Sequence, residues 1–304
     1  MFLMIRCISQ KNIITLILTQ NLRMRCRTAA CWDNLQRSLH FRTVYSLVLS
    51  KGILQCGGVS EAFADSNNIR KVMSSREITE KSLGLEPLGD KVIAYFAGRM
   101  ISEGTLRRNS VMQLSGDQDV IALPFKQNGV LVGCKYRTCR EKKFWQVKGT
   151  QKWLFGLDDI KDADEIIIVE GEIDKLAMEE AGFLNCVSVP CGAPQKVSAK
   201  ELPPQEKDTG YQYVWNCKEH LDKVSRIILA TDGDIPGQAL AEELARRLGK
   251  ERCWRVHWPK KDEFCCFKDA NEVLMFLGRD ALKEVIENAE LYQLQVPEQA
   301  MQCT

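Results

Sequence analysis

Three short acidic segments carry most of the chemistry this sequence offers: Glu170-Gly171-Glu172-Ile173-Asp174, Asp232-Gly233-Asp234 and Lys268-Asp269-Ala270-Asn271-Glu272. Carboxylates gathered at one point raise one another's pKa unless a cation compensates. A hard divalent ion, held by carboxylate oxygens and by the phosphates of a substrate, is the natural compensation. Glu170, Asp232 and Asp234 are the first candidates, and Asp269 is a further one. Gly171 and Gly233 let the backbone turn tightly and a ligand come close. Helix capping is the competing reading, because carboxylates also suit the exposed N–H groups at helix starts. For Glu172 and Asp174 both readings stand. Capping does not explain two separate strand ends that each finish in acid-Gly-acid.

Those acids need elements that bring them together. Ile166 to Val169 is a continuous apolar run leading into Glu170, and Arg226 to Thr231 leads into Asp232. Similar strands are expected at Val187–Pro190 and Trp254–Trp258, with helices over Ile173–Ala181 and Gly237–Leu248. Short buried strands alternating with helices imply a parallel sheet covered on both faces. In such sheets ligands bind at the carboxyl ends of the strands, where the acids stand.

Upstream, Val120–Phe125 and Val130–Tyr136 flank Asn128-Gly129, a hairpin signal, and Phe144–Val147 supplies a third strand. A short helix ended by glycine is expected over Thr79–Leu85. The expected plan is a leader over 1–65, a small α+β unit with an antiparallel sheet over 66–157, an α/β domain over 158–290, and a disordered tail over 291–304. Residues 279–292 are expected to form a closing amphipathic helix.

The span from Phe125 to Phe155 holds eight cations, Lys126, Lys135, Arg137, Arg140, Lys142, Lys143, Lys148 and Lys152, against one acid, Glu141. Tyr136, Phe144, Trp145 and Trp153 interleave with them. Cations that neutralise phosphates, beside rings on which bases stack, are the usual composition of a single-strand binding surface. A solvated strand face with core-filling aromatics accounts for any one of these residues, and less well for the whole run.

Taken in order, the three acidic segments resemble the successive Toprim motifs of primases, in particular the primase half of the phage-type primase-helicase and Twinkle family. The resemblance covers roughly residues 66 to 290. It implies a Toprim fold in which Glu170, Asp232 and Asp234 hold magnesium, or manganese, and carry catalysis, with Asp174 and Asp269 as further members of the site. It implies nucleotide or template contacts from the basic segment, with Lys135, Arg137, Lys142, Lys143 and Lys148 as candidates. The implied reaction is RNA primer synthesis on single-stranded DNA from ribonucleoside triphosphates. The implied partners are a primase-helicase or an organellar DNA polymerase.

Charge and cysteine content refine these expectations. Lys plus Arg (42) nearly balance Asp plus Glu (40), so attraction to nucleic acid must come from local patches. The 13 Cys are scattered without a C-x-x-C pair, which reads as reduced thiols. Cys134/Cys139 and Cys186/Cys191 have C-x4-C spacing, at or beyond the usual range for paired zinc ligands, and no second pair is suitably placed, so no zinc is expected. Asp33 is the sole acid before Glu61, whereas Arg6, Lys11, Arg23, Arg25, Arg27, Arg37 and Arg42 precede Lys51, the composition of a mitochondrial or chloroplast transit peptide. Ile13–Leu18 is too short for a membrane span, and no membrane association is expected. The sequence has no G-x-x-x-x-G-K-[ST] loop, so no helicase half is expected. Two rival readings remain: a truncated paralogue that binds single-stranded DNA or a primase-helicase without synthesis, and another Toprim activity such as a nuclease or topoisomerase.

Overall fold

The computed structural model describes residues Cys7–Gln10, Ile13–Leu16, 78–141 and 143–292. The first two segments are β1 (Cys7–Gln10) and β2 (Ile13–Leu16), an antiparallel pair with Cys7 opposite Leu16. The rest of the expected leader, the tail from 293 and Lys142 lie outside the described residues. No helix among the described residues is long and apolar enough to cross a membrane.

From Ile78 the chain builds two five-stranded sheets. The first is antiparallel, in the order β3 (Leu85–Glu86), β4 (Met112–Leu114), β5 (Asp117–Gln127), β6 (Val130–Thr138), β7 (Phe144–Gln146). Asn128 (φ 51°) and Gly129 (φ 75°) both take the left-handed conformation that a tight two-residue hairpin demands. The Asp158 carboxylate accepts both of their N–H groups, at 2.6 and 2.8 Å. β5 alternates faces as a strand must. Ile121, Leu123 and Phe125 pack with Val92 and Phe96 of α1 (Asp90–Ala97) and Leu106 of α2 (Glu103–Arg108), whereas Val120 and Ala122 pack with Cys134 and Tyr136. The expected helix over Thr79–Leu85 is instead a hydrogen-bonded turn. Leu83 N–H donates to Thr79 O (3.1 Å), and Gly84 at φ 63° redirects the chain into β3. So short a segment cannot offset helix nucleation, and pairing of β3 with β4 takes its place.

The second sheet has the order β12 (Glu290–Leu291), β11 (Cys253–Arg255), β10 (Arg226–Ala230), β8 (Glu165–Val169), β9 (Cys186–Ser188), parallel except for β12. Both of its faces are covered, which explains the unbroken apolar runs. Ile166, Ile168, Ile227 and Leu229 join one core with α6 (Ile235–Leu248) and with α4 (Gln212–Asn216) and α5 (Lys218–Leu221). Ile167, Val169, Ile228 and Ala230 join the other with α3 (Glu172–Glu180), α7 (Ala270–Leu277) and α8 (Arg279–Glu287). The expected closing helix is shorter than 279–292. It stops at Glu287, after which β12 pairs with β11 and buried Tyr292 donates its hydroxyl to Glu242 at 2.7 Å. The folded chain thus runs beyond 290, because this sheet edge still has hydrogen bonds to make.

Ile173 and Leu176 of α3 lie in the same core as α1, α2 and β5, so the two sheets share an interior. A buried charge network reinforces that seam. The fully buried Lys175 ammonium donates to Asn109 Oδ1 (2.5 Å), Asp159 Oδ2 (2.7 Å) and Glu179, while Arg108 grips Glu179 at 2.9 and 3.1 Å. Breaking a buried pair leaves an uncompensated charge. Glu179→Ala is therefore expected to destabilise the fold by about 3 kcal/mol in denaturant unfolding, against about 1 kcal/mol or less for a surface pair.

Candidate active site

β8 and β10 are parallel neighbours with Val169 beside Ala230, so the segments that follow them leave the sheet side by side. The Thr231 hydroxyl donates to Gly237 O (2.8 Å) and Trp258 Nε1–H donates to Thr231 O (2.9 Å), pinning the turn that carries Asp232. A Cβ on Gly237 would lie 2.2 Å from Asp232 O, so the start of α6 can approach Asp232 only as glycine. Gly171 serves a similar end, since a Cβ there would meet Asp174 Oδ2 at 2.7 Å.

Asp174, Asp232 and Asp269 each bring a carboxylate oxygen within 4.8 Å of the others. Asp174 lies inside α3 rather than at its cap, is buried, and accepts the Asn271 N–H at 3.1 Å. The capping roles fall elsewhere. Asp234 caps α6 through the Gly237 N–H (2.9 Å), and Asp269 caps α7 through the Glu272 N–H (2.8 Å). Asp269 still serves the cluster, whereas Asp234 stands beside it. Lys268 links the two acids of that turn, with Nζ 2.8 Å from Asp232 and 3.2 Å from Asp234.

The electrostatics record the crowding. Burial, followed by the Asp232 and Asp234 charges, pushes the Glu170 carboxyl up to about 7. Burial, reinforced by Asp269 and Asp232, holds Asp174 well above the usual carboxylate range. Asp232 is also raised by burial, although its hydrogen bond to Lys268 opposes this, and burial raises Asp269. The bond to Asp232 keeps Lys268 firmly protonated. One ammonium does not balance four acids. Glu170 Oε2 is buried with no hydrogen-bond partner, a costly arrangement for a carboxylate. An all-carboxylate donor set with an orphaned oxygen fits magnesium or manganese, which are held by oxygen ligands and retained waters.

Glu170, Asp174, Asp232 and Asp269 line one cleft of about 790 Å³. Its remaining walls come from Arg99, Lys135, Arg137, Phe144 and Trp145 on the antiparallel side and from Asn271, Met275 and Phe276 of α7. Lys135 reaches the cleft paired with Glu172, at 2.7 and 2.9 Å. This settles Glu172, which anchors the basic sheet instead of capping α3. Arg137 lies against the Phe144 and Tyr95 rings, 5.2 and 5.6 Å from their centroids. Burial lowers its pKa, and its Nε has no partner. Lys143 and Lys148 are exposed and do not line the cleft, and Lys143 pairs with Glu141 at 2.5 Å. Sequence reasoning missed Arg99, which donates to Asn271 Oδ1 at 2.9 Å from the turn containing Met100 at φ 61°. It also missed the Lys268 ammonium, although Lys268 opens the third acidic segment.

The Toprim domain family profile matches residues 164–257, the stretch that supplies β8, β10 and the turns bearing Glu170 and Asp232. The Twinkle homolog protein, chloroplastic/mitochondrial, of Arabidopsis thaliana is 58% identical over 247 residues, 81% of this chain and 34% of that protein. The Primase homolog protein of Arabidopsis thaliana is 60% identical over 245 residues, 80% of this chain and 71% of that protein. The chain belongs to this Toprim primase family. It spans about a third of the Twinkle homolog's length. Among solved structures, a chain from bacteriophage T7 lagging-strand DNA polymerase with gp4 primase domains aligns with a TM-score of 0.54 at 22% identity, covering 71% of this chain and 98% of that one. The primase fragment of the T7 primase-helicase aligns at 0.51 and 22%, covering 67% and 80%. These likenesses establish the primase-core fold, a Toprim sheet preceded by an antiparallel one, as the acidic segments had implied.

Proposed function

We propose that the chain synthesises RNA primers on single-stranded DNA by metal-dependent nucleotidyl transfer. The observation that carries this reading is one cleft holding the clustered carboxylates with Glu170's orphaned oxygen on one side and the Arg99, Lys135 and Arg137 cations on the other. Asp174, Asp232 and Asp269, with Glu170 completing the set, would hold magnesium or manganese, and Asp234 would keep Lys268 in place beside them. The metal would supply positive charge at the α-phosphate and lower the pKa of the attacking 3′-hydroxyl. Glu170, whose buried Oε2 has no hydrogen-bond partner, would be available to accept the hydroxyl proton once the metal has ionised it. Arg137 and Arg99 neutralise the triphosphate. Lys135, fixed by Glu172, positions the basic sheet against the acids, while Lys143 and Lys148, outside the cleft, contact the template beyond it. Catalysis of this kind rests on positioning.

The basic leader, together with a relative named chloroplastic/mitochondrial, supports an organellar site of action. A primase-helicase or organellar DNA polymerase is the corresponding partner. The test is incubation of the full chain with single-stranded DNA, ribonucleotides and magnesium, beside Asp232→Ala/Asp234→Ala. Primers from the first and none from the second are expected. DNA binding without product from either protein would overturn synthesis and identify a binding paralogue.

A further inference from the structure

Exposed apolar side chains gathered around one cleft mark a binding surface, whereas single ones need no explanation. Phe144 is 50% and Trp145 42% exposed on β7, and Phe276 is 61% and Met275 40% exposed on α7. All four line the cleft that holds the acids, two from each sheet's side. None is free to collapse into a core. The Trp145 ring stacks on Tyr136, with centroids 5.4 Å apart and planes 14° apart, on the sheet face turned away from Lys135 and Arg137, so Phe144 is the ring of β7 that faces the acids. Lys261 lies 4.8 Å from the Phe276 ring and Phe267 packs beside it at 5.8 Å, so that ring too is held from behind. Phe144 is backed by Lys135 and Arg137 at 5.6 and 5.2 Å.

We propose that Phe144 and Phe276 are stacking platforms for nucleobases, one on each side of the cleft. This rests on the nucleic-acid reading of the site and adds which residues receive the bases. The chemistry favours a polynucleotide over an apolar protein segment. Such a segment would bury the Arg99 and Arg137 guanidiniums and the carboxylate cluster without pairing them, at high desolvation cost. A chain that alternates anionic phosphates with flat rings satisfies cations and aromatics together. Phe144, held against Lys135 and Arg137, and the braced Phe276 present rigid faces, so little side-chain entropy is lost on binding.

The test uses the full chain, magnesium, and no ribonucleotides, so it is read whether or not primers are made. A single-stranded oligodeoxynucleotide is compared with an abasic counterpart of equal phosphate number. Phe144→Ala and Phe276→Ala are each expected to weaken the base-bearing strand by about 5- to 100-fold and to leave the abasic strand within about twofold. Phe144→Trp retains binding, and the fluorescence it adds over the unsubstituted chain is quenched by the base-bearing strand alone, whereas Trp145→Ala changes neither affinity. Phe264, 95% exposed but outside the cleft, is the control, and Phe264→Ala is expected to change neither affinity. Equal losses on both strands, no loss on either, or a matching loss in Phe264→Ala would overturn the proposal, the last pointing to a general apolar contact with another protein.

Discussion

Asp174→Asn and Asp232→Asn are each expected to lower magnesium-dependent primer synthesis by about a thousandfold or more, the several kcal/mol that metal charge supplies to a phosphoryl-type transition state. The two oxygens belong to different elements, α3 and the turn after β10, so neither substitution can be repaired by a neighbour on the same segment. The same substitutions should leave the metal-free protein folded and more stable at pH 8, since each removes one charge from a buried, mutually repelling set. Activity assays combined with thermal unfolding in chelator check both halves. Loss of activity with loss of fold would mean that these acids are structural. Asp234→Asn is expected to be milder, because an asparagine can still cap α6 and Asp234 stands outside the cluster.

The second large effect is on pH. Glu170 titrates near 7 in the metal-free fold and near 4.5 when unfolded, so between these values the native state holds a proton that the unfolded state has released. Stability of the metal-free protein therefore falls as pH rises through that window. Metal binding has the opposite sign. It requires the ionised carboxyl, so affinity should drop at least tenfold per pH unit below about 7, and more steeply if the raised Asp174 releases its proton too. Calorimetry in buffers of different ionisation enthalpy reads the proton release directly. In Glu170→Gln the slope should be shallower by one proton. An unchanged slope would remove Glu170 from the site.

The parts of the fold legible in the sequence are those set by local pattern. The apolar runs at Ile166–Val169 and Ile227–Ala230 marked strands buried on both faces, and Asn128-Gly129 marked a turn that needs two left-handed residues. The acid-Gly-acid segments marked strand ends, because acids there lack any other local reason. What stayed hidden depends on distant partners. Asp174 and Glu172 looked alike at the start of α3, yet two residues along a helix face different directions, so one meets Asn271 and the other Lys135. Asp234 looked the same as Asp232, but one of its oxygens caps α6 and the other pairs with Lys268, so it stands beside the three clustered aspartates. Arg99 follows α1 with no charge pattern around it, and only the approach of α7 gives it a partner. The basic segment was legible only as a composition, while alternation along β6 turns Lys135 and Arg137 to the cleft, and Lys143 and Lys148, outside the strands, do not line it.

Manganese binding measured by electron paramagnetic resonance, on the full chain and on Asp174→Asn/Asp232→Asn, probes the carboxylate cluster without recourse to activity. The unsubstituted protein should bind the ion, release it to excess magnesium, and lose it on acidification through pH 7, while the folded variant binds none. Equal binding by both proteins would contradict a metal centre built from these side chains.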